Sequence, residues 1–420
     1  MKRITRIIAT LLMMVMMGTS LMGCQNTSEQ TSSHQTSTEG NASEEEIENN
    51  QTDEGNGITS GDNQPEDLIQ EQEVPYVVTD EAAIMGMARD ILKNMTIEEK
   101  VGQLFMVNLE QLDNSEGNYY EHTVITKKMK RFLKKYPVGG VILFSRNIAT
   151  TDQTKELIEK LQANSKVPLF MAVDEEGGDV ARIANNDNMR TTKFPTMEEV
   201  GAMEDKEYAY NMGATIGKEI KELGFNLDFA PVADVKTNEL NTEIGSRSFG
   251  NDPDLVADMV VEVVKGLQDQ GVSSTLKHFP GHGDASEDSH EGAVDVENDI
   301  NRLRQVELVP FKAGIKAGAD LIMVSHISVS RLTGTTEPAS LSPLVMKDML
   351  RTEMGFDGII ITDAMDMKAI TDYCDAKEAA VTCILSGADI CLMPEDLPAA
   401  YKAVLKVVKD GVISEKRLNE

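Results

Sequence analysis

The chain has 420 residues, 40% of them hydrophobic, enough for one large domain or two ordinary ones. Its formal charge is −30 at pH 7, which argues against a nucleic-acid partner. There is no Trp, which argues against a Trp-based platform for stacking sugars.

The chain opens with Lys2, Arg3 and Arg6, then an apolar run, then small residues before Cys24. That is the layout of a secretory signal peptide rather than of a folded element. The apolar run between Arg6 and Gly18 is short for a membrane span. Leu21, Met22, Gly23 and Cys24 resemble the lipobox of bacterial lipoproteins. Residues 1–23 are therefore expected to be removed and Cys24 to be lipidated, holding the mature chain on the outer face of the cytoplasmic membrane. Residues 24–75 are rich in Ser, Thr, Asn, Gln and Glu and nearly free of aromatics. Such a segment cannot bury enough apolar area to offset its ordering entropy, so it reads as a disordered tether. Its acidity predicts that the domain beyond does not cling to an anionic membrane surface.

From 76 to 420, short apolar runs alternate with amphipathic stretches, forming one expected domain. The runs are QLFMV (103–107), GVILF (140–144), PLFMAVD (168–174), NLDFAPV (226–232), VSSTLKHF (272–279), DLIMVSHI (320–327), GIIITDA (358–364) and DICLMP (389–394). Thr96 and Glu99 have capping-box spacing ahead of the first. Helices are expected over 154–163, 207–223, 253–268, 300–316 and 343–354. Most runs close a phrase of helix, Gly and strand, as in ELGFNLDFA and KAGADLIMVSH, with Gly where a helix ends. Near-continuous apolar strands separated by helices imply a parallel sheet covered on both faces. Eight of them predict a (β/α)8 barrel. An open doubly wound sheet is the competing arrangement, but no glycine-rich phosphate loop follows the first strand. The stretch VVKDGVISEKRLNE (407–420) stops where a closing helix would begin, so the last helix is expected to be incomplete. Cys374, Cys383 and Cys391 form no CxxC and read as small buried apolar residues, with a disulfide left open.

In such a barrel, function sits where strands end. The third strand ends in Asp174; the fourth leads to Asp234 and then to IGSRSFG, with Arg247. The fifth ends in Lys277 and His278, the sixth in Ser325 and His326, the seventh in Thr362 and Asp363. Crowded charges at one rim are costly unless paired or used, so the clustering argues for a site. The loop KHFPGHGDASEDSH holds three of the six histidines. His278 and His282 are four apart, but Pro280 and Gly281 between them deny the helix that a zinc pair would need. No metal is expected. His282 reads equally well as a hydrogen-bonded filler. Asp288, two residues before His290, can fix an imidazole's tautomer and support proton transfer near neutral pH. Asp363, at the end of an apolar strand, is aimed at the barrel mouth, while Asp366 reads as the structural start of the next helix.

GGVILFSRNI, VDEEGG, NLDFAPVADV, IGSRSFG, KHFPGHGDASEDSH and ITDAMDM resemble glycoside hydrolase family 3, in its β-N-acetylhexosaminidase branch, from about residue 95 onward. The resemblance implies a barrel and a retaining double displacement through a covalent glycosyl-enzyme. Asp363 would be the nucleophile and His290, coupled to Asp288, the acid/base, on a loop that closes over substrate. Asp174 would bind sugar hydroxyls. Arg247, Lys277 and His278 would donate to hydroxyls and to the N-acetyl group, and Arg182 matches the family's pattern. Two positions depart from it: Asp179 stands for an arginine, and Glu175 for a glutamine, adding negative charge near the mouth. The implied partner is a β-linked N-acetylglucosamine carbohydrate such as a peptidoglycan fragment, handled by a monomer without any cofactor. A phosphorylase or β-glucosidase of the same family, and a glycan-binding lipoprotein without catalysis, are the alternatives.

Overall fold

Each apolar run in the sequence contains one strand. In the computed structural model these are β1 (Phe105–Val107), β2 (Gly140–Ile142), β3 (Phe170–Val173), β4 (Leu227–Asp228), β5 (Ser273–Phe279), β6 (Leu321–Val324), β7 (Ile359–Thr362) and β8 (Cys391–Leu392). The structure describes residues 81–117, 119–286 and 292–420; Cys24, the tether, Asp288 and His290 lie outside the described residues. The strands pair in parallel in the order β8–β1–β2–β3–β4–β5–β6–β7. Ile361 of β7 bridges to Ile390 beside β8, and the amides of Asp389 and Ile390 both donate to the Ile360 carbonyl. The ring is thus closed, which sets aside the open sheet: that arrangement would leave β7 and β8 as unpaired edges.

Closure sorts the strand side chains into two cores. Met106, Ile142, Phe170, Ala172, Leu227, Met323, Ile361 and Leu392 form one buried cluster inside the barrel. Phe105, Val107, Val141, Met171 and Val173, one residue out of phase, join the cluster that packs under the helices. Period-2 alternation with apolar residues on both faces is why the strands read as unbroken apolar runs. Each fully buried aliphatic or aromatic side chain contributes about 1.5–3 kcal/mol.

Local signals set the helix ends. Thr96 Oγ1 accepts from the Glu99 amide (3.2 Å) while Glu99 Oε2 accepts from the Thr96 amide (2.9 Å), starting helix Ile97–Gln103. Gly224 (φ 103°) ends Lys206–Leu223 in the left-handed region that glycine tolerates. The expected helix over 300–316 is two, Ile300–Gln305 and Leu308–Ala317. Pro310 explains the break: inside one continuous helix it would lose a hydrogen bond and clash with the preceding turn, whereas in the first turn of a new helix it costs little. The stretch over 343–354 winds more widely than an α-helix, as Leu344–Glu353. β8 is followed by helix Leu397–Lys409, and the segment read as the start of a closing helix forms Glu415–Asn419. Cys383 and Cys391 are buried free thiols and Cys374 is a partly buried one. Among the described residues no helix is long and apolar enough to cross a membrane.

Candidate active site

Asp174 follows β3 directly, and the chain then makes a short hairpin, Glu175–Gly177 against Val180–Ala181. Alternation along the hairpin sends the two adjacent glutamates to different places. Glu175 turns into the protein: its carboxylate accepts from the amides of Ile183 and Ala184 (2.8 Å each), and its own amide donates to Asp228 Oδ1 (2.9 Å). The expectation that Glu175 charges the mouth is therefore corrected. Only 3% exposed, it lies behind the site, and burial pushes its carboxyl up to about 7. Burial likewise raises the neighbouring Asp228 well above the ordinary range.

Glu176 takes the opposite direction and becomes the hub of the rim. It accepts from Arg247 through both Nη2 (2.7 Å) and Nε (2.9 Å), and from Lys277 Nζ (2.6 Å). Lys277 also reaches Asp174 Oδ1 (2.9 Å), and Arg182 approaches Asp174 Oδ2 at 3.8 Å. Burial works against the charge on Glu176, but Arg247 and Lys277 outweigh it and hold the carboxyl well below the usual range. Burial likewise opposes the Lys277 charge, and Asp174 and Glu176 override it, raising the ammonium. Two cations and two carboxylates thus fix one another in place across units β3, β4 and β5.

His278 is set by Asp234, in the loop after β4. Nδ1 of His278 lies 2.7 Å from Asp234 Oδ2, the His278 amide donates to the same carboxylate, and so does the His282 amide (2.6 Å). Burial pushes Asp234 up, but the histidines prevail and its carboxyl is lowered. With Nδ1 engaged, Nε2 of His278 points to the site, 3.4 Å from Arg247 Nη2. His282 is buried, with its carbonyl accepting from Asn241 (2.7 Å) and its ring 3.4 Å from Glu243. These contacts hold the loop, in line with the filler reading.

Asp363 leaves the end of β7. Its amide donates to the Val324 carbonyl (2.8 Å), and its Oδ1 accepts from the Ala364 amide (2.8 Å). The Ala364 carbonyl lies 2.9 Å from Nε2 of His326, whose Nδ1 meets Ser340 Oγ at 2.8 Å. His326, 1% exposed, therefore grips the peptide that follows Asp363. Asp366 does not begin a helix; Lys368–Thr371 starts after Met367, and Asp366 is exposed.

Asp174, Arg182, Arg247, Lys277, His278 and Asp363 all line one cavity of about 170 Å³, together with Glu176 and Glu243. The structure thus brings together the six expected substrate-binding and nucleophile residues that it describes, whereas Asp234, Ser325, His326 and Thr362, also at or just after strand ends, do not line this cavity. Sequence reading passed over Glu176 and Glu243 as site residues. The signal for Glu176 was present in VDEEGG, but two adjacent glutamates do not say which faces the mouth. Asp179, in place of an arginine, accepts from Ser246 Oγ near the entrance.

Balanced carboxylates and cations around a small cavity at the C-terminal rim of a closed barrel define the candidate site of a (β/α)8 protein. The chain belongs to glycosyl hydrolase family 3: the model of the Glycosyl hydrolase family 3 N terminal domain matches residues 96–420. Beta-hexosaminidase A of Pseudoalteromonas piscicida is 37% identical over 291 residues, covering 65% of this chain and 48% of that protein. Beta-hexosaminidase of Stenotrophomonas maltophilia (strain K279a) is 33% identical over 290 residues, covering 67% of this chain and 84% of that one. Among solved structures, a glycoside hydrolase family 3 beta-N-acetylglucosaminidase from Paenibacillus sp. str. FPU-7 superposes with a TM-score of 0.71 at 37% identity, over 77% of this chain and 60% of that one. The match thus spans about half the length of the Pseudoalteromonas protein.

Proposed function

We propose that the protein is a retaining exo-β-N-acetylhexosaminidase that releases terminal N-acetylglucosamine from peptidoglycan fragments or related glycans. The observation that carries this reading is Asp363, held at the end of β7 on a cavity of about 170 Å³ whose lining also holds Asp174, Lys277, Glu176, Arg247 and His278. A cavity of that size suits a single terminal ring, hence exo action. The relatives' names supply the N-acetylhexosamine.

Asp363 attacks the anomeric carbon as the glycosidic bond breaks, and protonated His290 gives its proton to the departing oxygen. A covalent glycosyl-enzyme results. Neutral His290, its imidazolium form stabilised by Asp288, then takes a proton from water, which attacks the same carbon and frees Asp363. Asp174, Arg182, Arg247, Lys277 and His278 hold the ring's hydroxyls and N-acetyl group. The roles of His290 and Asp288 rest on the motif resemblance.

The test is hydrolysis of an aryl β-N-acetylglucosaminide by wild type, Asp363→Asn and His290→Ala, with and without phosphate. Wild-type turnover with at least about a 10²-fold loss in each variant supports the reading. Sugar 1-phosphate as the main product in phosphate would instead make it a phosphorylase. Preference for an aryl β-glucoside would make it a glucosidase, and binding without turnover a lectin-like lipoprotein. The same reading places the barrel as a monomer outside the cytoplasmic membrane, tethered through lipidated Cys24. Loss of detergent-phase partitioning in Cys24→Ala checks the tether, and gel filtration the monomer.

A further inference from the structure

The cavity beside Asp363 continues past the nucleophile. Phe144, Ala364, Met367 and Met393 line it and also line a second cavity of about 1040 Å³, spread over the loops that follow β1, β2, β7 and β8. Away from that junction, the smaller cavity meets the Lys277–Glu176–Arg247 network, where every charge already has a partner. The groove is then the described cavity that adjoins a ring seated on that network with its anomeric carbon at Asp363, and it offers a path for whatever leaves with the glycosidic oxygen. Drug-sized ligands fill cavities of about 300–1,000 Å³, so the groove has room for much more than one ring.

Its wall is made for flat contacts. The Arg146 guanidinium lies 4.4 Å from the centroid of Phe144, which faces both cavities, and 5.4 Å from that of Tyr119. Glu110, 5% exposed, pairs with Arg146 and fixes the middle of this stack. Tyr119 is 79% exposed and sits at φ 64°, a region that bulky residues seldom occupy. An exposed ring held at that backbone conformation gives the fold little and gives a ligand a platform. Met393, at the junction, has φ 47°.

We propose that this groove is the leaving-group site and takes an oligosaccharide of two or more rings, stacked on Phe144, Arg146 and Tyr119, which do the work that Trp does elsewhere. The inference rests on the hexosaminidase reading and deepens it: the substrates are chains rather than disaccharides. The test is kcat/KM of the full chain on an aryl β-N-acetylglucosaminide and on the β-1,4-linked di- and tetrasaccharides of N-acetylglucosamine. Wild type is expected to prefer the tetrasaccharide over the disaccharide at least fivefold, a factor within about what one aromatic contact provides. Tyr119→Ala is expected to lower the ratio of tetrasaccharide to aryl kcat/KM by about 3–10-fold, mainly through KM. Equal wild-type rates on both chain lengths, or an unchanged ratio in Tyr119→Ala, overturns the inference while the aryl substrate still supports the hydrolase. If wild type cleaves none of the three, the hexosaminidase reading falls and this one falls with it.

Discussion

Replacing Glu176 by Gln keeps its shape and removes one charge. Glu176 is 3% exposed and bonded to Lys277 at 2.6 Å and to Arg247 at 2.7 and 2.9 Å. The variant leaves buried Lys277 with Asp174 as its remaining carboxylate and takes the paired carboxylate from partly buried Arg247. Removing one partner of a buried pair costs about 3–5 kcal/mol. On a domain of this size that lowers the melting temperature by roughly 5–15 °C. The pH dependence has a fixed sign. Because the folded carboxyl titrates well below its ordinary value of about 4.3, its stabilisation is present above that value and is lost as pH falls toward the folded pKa. The gap between wild type and Glu176→Gln should therefore be full at pH 7.5 and narrower at pH 3.5, by thermal circular dichroism. Adding Arg247→Gln should cost about 1–3 kcal/mol less in the Glu176→Gln background than in wild type, because the pair acts as a unit. Activity should fall too, since Lys277 and Arg247 lose the anchor that aims them; a loss of about 10²-fold in kcat/KM is the scale for ångström-level misplacement. A stability loss below about 1 kcal/mol, or a gap that does not change with pH, would refute the account of Glu176 as the hub.

Glu175→Gln should show the reverse trend. The folded pKa of about 7 is raised above the ordinary value, so as pH climbs from 4.5 to 8 wild type loses about 3 kcal/mol more stability than the variant, which keeps the raised Asp228. Denaturant melts at the two pH values would reveal a parallel loss if this is wrong. His326→Ala should lower kcat about 10–100-fold with KM nearly unchanged, because it releases the peptide after Asp363 rather than a sugar contact. Steady-state kinetics separates the two, and a change confined to KM would remove His326 from a positioning role. Gly283→Ala puts a Cβ 2.0 Å from the Val235 carbonyl oxygen and should cost about 1–3 kcal/mol, measurable by urea denaturation. A neutral effect would mean that the loop base yields easily.

The eight strands were legible because a parallel barrel buries both faces of each strand, so every strand appears as a continuous apolar run. Asp174, Lys277, His278 and Asp363 were legible for a related reason. Each interrupts or ends such a run at its C-terminal end, where a charge serves no packing purpose. The split of the expected 300–316 helix could have been read from Pro310. Glu175 and Glu176 could not be told apart, because facing is set by the short hairpin over 175–181, whose register only the folded chain defines. Nor does sequence pair Glu176 with Arg247, 71 residues away, or join the Phe144–Arg146–Tyr119 wall to the nucleophile's cavity. Periodicity reports on neighbours a few residues apart. Pairing of charges across units, and with it the pKa of each buried carboxyl, is decided only when barrel closure brings separate βα loops to one rim and withdraws water from between them.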